Sequence, residues 1–159
     1  MSRRSRANCF LHNLHMADLT VRRAEARDSE ELAECIEDAY SVYSSRIDDL
    51  PAVSDGIADA IQRYRVWVAE TERIVGVLIL VPQEDSLVLE NIAVRPECTG
   101  MGHGRALMLQ AEKNCQELGL HEIRLSTHKD MPENVAIYSR LGWRETGRSG
   151  NKVHMSKTV

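Results

Sequence analysis

The chain has no excess of positive charge, no C-x-x-C pair, no apolar run of membrane-spanning length and no internal repeat. Each absence removes a class of function. Its 159 residues carry 20 Lys+Arg against 24 Asp+Glu, a formal net charge of -4. The footprint of a nucleic-acid surface is therefore missing, and a cationic or amine-bearing substrate is tolerated. The four cysteines, Cys9, Cys35, Cys98 and Cys115, are scattered, with no Cys/His spacing suited to zinc. They read as free thiols in a reducing cytoplasm, and no metal is expected. Cys98 lies beside a glycine-rich loop, but no His or acid is placed by sequence to activate it, so packing under the loop is its commoner role. No run approaches the roughly 20 apolar residues of a membrane-spanning helix. The Arg3-Arg4 pair invites an export reading, yet Cys9-Phe10-Leu11 is interrupted by His12 and Asn13. Residues 1–17 read as a loosely ordered N-terminal extension, with Met16 a candidate start, ahead of one domain over 18–159.

What is present centres on residues 87–118, a strand running into a glycine loop and then a helix. Residues 87–94 are apolar on both faces except for Glu90 and Asn91, which suits a strand buried inside a sheet. Pro96 ends it. Gly100, Gly102 and Gly104 then let the backbone turn tightly and point successive N–H groups at a ligand. The helix that follows carries Leu107, Ala111, Cys115 and Leu118 on its apolar side, and Gly119 supplies a left-handed stop. Such a helix N-terminus is an anion site, most naturally for phosphate. A P-loop would require Gly-Lys-Ser/Thr, where this chain has Gly104-Arg105-Ala106. A dinucleotide fold would require G-x-G-x-x-G on the first strand, whereas three strand-like runs precede this loop and its spacing is G-x-G-x-G. A turn that merely lets helix and strand pack closely is the plainer alternative, and three glycines in five residues weigh against it.

Residues 94–107, Val-Arg-Pro-Glu-Cys-Thr-Gly-Met-Gly-His-Gly-Arg-Ala-Leu, resemble the acyl-CoA signature of the GNAT superfamily of N-acetyltransferases, V-x-P-x-x-[QR]-G-x-G-I-G-x-x-L. Residues 134–143 are similar to that family's N-x-x-A-x-x-[FY]-Y-x-x-x-G-[FW] segment, with Tyr138 at the tyrosine position. Thr99 departs from the usual Gln or Arg, and His103 stands where the family usually has Ile. The resemblance implies an α/β (α+β) fold, with a mixed, mostly antiparallel central sheet, a β-α-β acyl-CoA-binding core and helices on both faces. It also implies acetyl-CoA as co-substrate, held by backbone around Ile92, Ala93 and Val94, by the cradle Thr99, Gly100, Met101, Gly102, His103, Gly104 and Arg105, and by Asn134 and Tyr138. A bulge in the 87–94 strand, splaying it from the strand over 121–127, is implied as well, with a strand N–H polarising the thioester carbonyl.

The rest of the chain reads as elements around that core. Residues 19–24 alternate like an edge strand, and Asp28 with Glu31 forms a capping-box pattern opening a helix with Leu32, Cys35, Ile36, Ala39, Tyr40 and Tyr43 on one face. Tyr40 reads as core and Tyr43 as either core or the wall of a substrate mouth. The polar loop 44–54 carries Asp48 and Asp49, which are candidates to meet an acceptor amine or simply a solvated acidic loop. A short helix with Ile57, Ala60 and Ile61 follows. Residues 64–69 and 74–81 read as strands, the second central, leading into 87–94 as a meander. The strand over 121–127 must run parallel to 87–94, a helix covers 133–141, and residues 143–157 form a final hairpin.

Acetyl transfer to an amine needs a neutral amine, a polarised carbonyl and a protonated leaving thiolate. Holding a lysine-like amine of pKa ~10.4 neutral at pH 7 costs about 4.6 kcal/mol unless a base assists. Glu90 is the candidate base, in an apolar strand where burial would tune it, and Leu89-Glu90-Asn91 resembles the L-E-[DN] strand of GNAT polyamine acetyltransferases. A buried carboxylate satisfied by structural hydrogen bonds is the alternative. Tyr138 is the candidate acid, since a phenol of pKa ~10 can donate to a thiolate of ~8.5. His128 is read as a surface imidazole, and the remaining histidines give no metal constellation. The expected activity is acetyl-CoA-dependent N-acetyl transfer in a ternary complex, in the cytoplasm, to a small-molecule or protein amine. No nucleic-acid or membrane partner is expected, and a homodimer is left open. The competing reading is a non-catalytic acyl-CoA-binding sensor module.

Overall fold

The structure, a computed structural model, describes residues 18–44, 47 and 55–159. The extension over 1–17 and the acidic pair Asp48 and Asp49 lie outside the described residues. The strands are β1 (Thr20–Arg23), β2 (Arg65–Glu70), β3 (Ile74–Pro82), β4 (Leu87–Val94), β5 (Glu122–His128), β6 (Arg144–Ser149) and β7 (Lys152–Thr158). The helices are α1 (Ser29–Ser41), α2 (Ile57–Arg63), α3 (His103–Glu117) and α4 (Pro132–Arg140). The seven strands form one mostly antiparallel mixed sheet in the order β1-β2-β3-β4-β5-β7-β6, as the resemblance implies. Among the described residues no helix is long and apolar enough to cross a membrane. The chain divides into two compact units, one made of the described residues to Ile79 with Asn91–Gln110, the other of Leu80–Glu90 with Ala111–Val159.

In the first unit β1 is the expected edge strand, antiparallel to β2 from Thr20↔Glu70 to Arg23↔Trp67. Leu32, Cys35 and Ile36 of α1 pack with Ile57 of α2, Val66 and Val68 of β2, Ile74, Val77 and Ile79 of β3, and Ala93 of β4. Burial raises the Cys35 thiol to a pKa of about 11, so it behaves as an apolar side chain. The other face of β3 meets α3. A Cβ at Gly76 would stand 3.0 Å from Leu107 Cδ1 and 3.3 Å from the Ala93 carbonyl, so glycine is what lets helix and strand approach. Adjacent Gly76 and Val77 thus face α3 and α1 respectively, which puts helices on both faces. The expected capping box is displaced. Asp28 is held by both Nη atoms of Arg22 at 2.8 and 3.0 Å and accepts the Glu25 N–H at 2.7 Å. The Arg22 fork keeps the Asp28 carboxyl below its ordinary range. Glu31 accepts instead from the Ile74 N–H at 2.8 Å, because a buried strand amide needs a partner more than a helix start already capped upstream.

In the second unit β4 starts parallel to β5, with Leu87 paired to Ile123 and Val88 to Arg124. Strand β5 is antiparallel to β7 along its whole length, from Glu122↔Thr158 to His128↔Lys152. Strand β6 closes the edge against β7, with a bulge between Glu145 and Gly147. The final hairpin is therefore as expected, and its second strand lies against β5. The buried apolar set is Leu80, Leu87, Leu89, Ala111, Cys115, Ile123, Leu125, Met131, Trp143, Val153 and Met155. Lys157 of β7 pairs with Glu112 of α3 at 2.6 Å on that same side. Every residue of β6 is exposed.

Candidate active site

The loop between β4 and α3 is built in the first unit. Arg95, only 1% exposed, anchors its start: its N–H donates to the Val75 carbonyl at 2.8 Å, its Nε to the Ile74 carbonyl at 2.8 Å, and its Nη1 to Asp38 of α1 at 2.5 Å. Pro96 opens a 3-10 turn through Cys98, with Glu97 ion-paired to Arg73 and Cys98 buried beneath, as expected of a packing thiol. The Thr99 hydroxyl donates back to the Pro96 carbonyl at 2.9 Å, so this shorter side chain is used within the turn. Gly100 and Gly102 have φ of 80° and 86° and nothing within 4 Å of where a Cβ would stand. The first helical bond runs from the Ala106 N–H to the Gly102 carbonyl at 3.0 Å, so the amides of His103, Gly104 and Arg105 precede it with no helical acceptor. This is a backbone cradle at the positive end of a 15-residue helix. Its open Cβ directions and available amides fit the diphosphate of an acyl-CoA. The His103 ring is buried, with Nδ1 lacking a protein partner, and burial lowers its pKa, which favours the neutral ring.

Gly102→Ala tests the cradle. A left-handed conformation costs a non-glycine residue ~1–2 kcal/mol, and no neighbour clashes with the added methyl. The fold should survive while the loop shifts, and acetyl-CoA affinity measured by calorimetry should fall about tenfold. Unchanged affinity in the folded variant removes the cradle from cofactor binding.

Strand β4 alternates between buried and open positions, with Leu87, Leu89, Asn91 and Ala93 buried and Val88, Glu90, Ile92 and Val94 not. Glu90 is exposed, which corrects the expectation of a buried carboxylate. The strand is not buried on both faces, and the pleat turns position 90 outward and position 91 inward. The buried polar side chain is Asn91, 8% exposed, whose Oδ1 accepts from the Tyr40 hydroxyl at 3.3 Å. Tyr40 is thus core, as read from sequence. Tyr43 follows the end of α1, edge-on to Tyr40 with ring centroids 6.4 Å apart.

In the second unit the half-buried Tyr138 of α4 lies against the buried Trp143, ring centroids 5.8 Å apart. Asn134, also half-buried, points its Nδ2 at Thr127 Oγ1, 3.4 Å, and Met131 Sδ, 3.3 Å, so it joins α4 to β5. His128 is not a surface imidazole: its side chain is 11% exposed and its Nδ1 accepts the Asp130 N–H at 3.1 Å. One constellation was not singled out from sequence. His154 of β7 stands between two hydroxyls, Ser126 Oγ at 2.7 Å from Nδ1 and Ser149 Oγ at 2.7 Å from Nε2. Only the β5-β7-β6 register brings these three together, so no local pattern signals it. Among the described residues no cluster of His, Cys, Asp and Glu could hold a metal ion.

Known proteins share this fold. The solved structure of PaiA N-acetyltransferase from Thermoplasma acidophilum, in complex with coenzyme A, superimposes with a TM-score of 0.81 over 89% of this chain and 99% of that one, at 20% identity. The ribosomal-protein-S18-alanine N-acetyltransferase of Escherichia coli gives 0.68 over 88% and 93%, also at 20% identity. In sequence, the mycothiol acetyltransferase of Pseudarthrobacter chlorophenolicus is 44% identical over 52 residues, 33% of this chain and 16% of that protein. The chain therefore spans only a small part of that relative's length. The uncharacterized N-acetyltransferase YjgM of Escherichia coli K12 is 24% identical over 84% of this chain and 86% of its own. The sequence model described as the Acetyltransferase (GNAT) family matches residues 14–143, and with the glycine cradle and the sheet around it this places the chain in the GNAT acetyltransferase family.

Proposed function

We propose that this protein transfers an acetyl group from acetyl-CoA to a primary amine, of a small molecule or a protein, by direct transfer in a ternary complex. The observation that carries the reading is the cradle: two left-handed glycines with open Cβ directions ahead of the amides of His103, Gly104 and Arg105, which have no acceptor within the helix. Residues Thr99 to Arg105 bind the diphosphate, the backbone of Ile92, Ala93 and Val94 takes the pantetheine arm, and Asn134 and Tyr138 complete the cofactor contacts. Acetyl-CoA supplies an activated acyl group on a leaving thiolate. Glu90, exposed and so accessible to an ammonium group, takes the acceptor's proton directly or through water. Tyr138 delivers a proton to the sulfur.

A panel of amines, followed by free-CoA release, tests the reading. Amine-dependent release supports it, and acetyl-CoA binding without release from any amine would leave a sensor module. With an acceptor in hand, Glu90→Gln preserves shape and hydrogen bonding but cannot accept the proton. Turnover at neutral pH should fall ~10²-fold and recover in part at high pH, where the free amine already exists. A pH–rate profile identical to that of the parent removes Glu90 from the mechanism.

A further inference from the structure

Acetyl transfer leaves one group of side chains in the second unit unused. The register of β5, β7 and β6 sets Ser126 opposite His154, His154 opposite Gly147 and Lys152 opposite Ser149, so these residues share one face of three adjacent strands. His154 Nδ1 is 2.7 Å from Ser126 Oγ, and its Nε2 is 2.7 Å from Ser149 Oγ. Both ring nitrogens are thus engaged by hydroxyls from the two flanking strands. Ser149 and Lys152 are exposed, and His154 is half-buried. At Gly147, two residues before Ser149 on the same face of β6, nothing stands within 4 Å of where a Cβ would be, so the face next to the Ser149 hydroxyl is open.

The two hydroxyls have different surroundings, and this gives the row a direction. A neutral imidazole has one N–H and one lone pair, so one hydroxyl accepts from the ring and the other donates to it. With the proton on Nδ1, the ring donates to Ser126 of the interior strand β5, which fixes its tautomer and orientation. The Nε2 lone pair then accepts from Ser149, the hydroxyl on the edge strand with open space beside it. The His154 backbone is held as well, its carbonyl accepting from Thr146 Oγ1 at 3.3 Å. A hydroxyl within hydrogen-bond reach of a base, and a base oriented by a third group, is the arrangement that activates a nucleophile.

We infer that Ser149 is an activated nucleophile that takes a small acyl group from a carboxylic ester, with His154 as its general base and Ser126 as the positioning residue. This activity goes beyond acetyl transfer to amines and uses no residue of the glycine cradle or of β4. Ser149 Oγ attacks the ester carbonyl carbon while its proton moves to His154 Nε2. The tetrahedral adduct collapses by breaking the bond to the leaving oxygen, which takes that proton from the imidazolium. The products are an O-acyl serine, a neutral ring and a free alcohol, and no redox partner is involved. Lys152, opposite Ser149, places a cation on the face where negative charge develops on the carbonyl oxygen.

The experiment treats the full chain with p-nitrophenyl acetate, follows nitrophenol release, and locates the acetyl group by peptide mass spectrometry, beside melting temperatures of each variant. In the parent, about one acetyl group per chain should appear on Ser149, and Ser149→Ala should abolish it. A positioned base contributes roughly 10²–10⁴-fold, so His154→Gln should slow acylation of Ser149 at least tenfold. Ser126→Ala should slow it severalfold and Ser126→Thr should restore it, a pattern that a merely structural hydroxyl would not give at unchanged melting temperature. Acetyl groups on lysines with Ser149 unmodified, or Ser149 acylated equally fast in the parent and His154→Gln, would overturn the inference. If His154→Gln does not fold, the Ser126 pair decides, and a Ser126→Ala rate equal to the parent's overturns it.

Discussion

Tyr138→Phe should lower turnover about 10²-fold while acetyl-CoA affinity changes less than threefold. The substitution retains the ring that packs 5.8 Å from Trp143 and removes only the phenolic hydroxyl. Positioned general acids contribute roughly 10²–10⁴-fold, and an interaction made only as the leaving group departs lowers kcat and kcat/KM together. Without the phenol the thiolate departs with its charge uncompensated. The loss should shrink with acyl donors whose thiols are more acidic, because these leave without help. Steady-state kinetics with acetyl-CoA and with an activated thioester analogue, next to a binding isotherm, measure each quantity. Equal turnover of the two forms would reduce Tyr138 to packing.

The second large effect concerns stability. Arg95 is fully buried at the start of the glycine loop, and Asp38, nearly half exposed, is its close carboxylate, with Glu34 further off at 3.8 Å. Asp38→Ala should destabilise the protein by about 2 kcal/mol, because the buried Arg95 loses its near carboxylate, a cost below that of breaking a fully buried pair since Asp38 is half exposed and Glu34 remains nearby. Arg95→Met should cost less than the loss of so many bonds suggests, since a long apolar side chain fills the same space and Asp38 is free to be solvated. The double variant should be more stable than Asp38→Ala alone. Chemical denaturation of the three variants checks this order. If Asp38→Ala costs under 1 kcal/mol, the pair behaves like an exposed salt bridge. Because Arg95 holds the Ile74 and Val75 carbonyls, Asp38→Ala should also weaken acetyl-CoA binding through the loop that Arg95 begins.

What could be read from sequence was whatever a short stretch of chain decides for itself. Gly119 announces a left-handed helix stop and the glycines at 100, 102 and 104 a tight turn; Gly100, Gly102 and Gly119 all take positive φ, because only a residue without Cβ occupies that region at little cost. The helix of Leu32, Cys35 and Ile36 and the apolar run of β3 follow from periodicity, and the parallel pairing of β4 with β5 follows from the helix between them. The tertiary structure decided which member of each local pair faces inward and which distant groups meet. Glu90 and Asn91 are adjacent polar residues in one strand, and the sequence does not show which is buried; sheet packing, through the period-two pleat, turned Asn91 in to Tyr40 and Glu90 out. Asp28 looked like a helix cap until Arg22 of β1 claimed it. The Ser126–His154–Ser149 row exists because β7 enters the sheet between β5 and β6, a pairing of segments over 20 residues apart that no local propensity encodes. The physical reason is common to all three: backbone conformation is set by neighbours in sequence, whereas burial and side-chain partnership are set by non-local register.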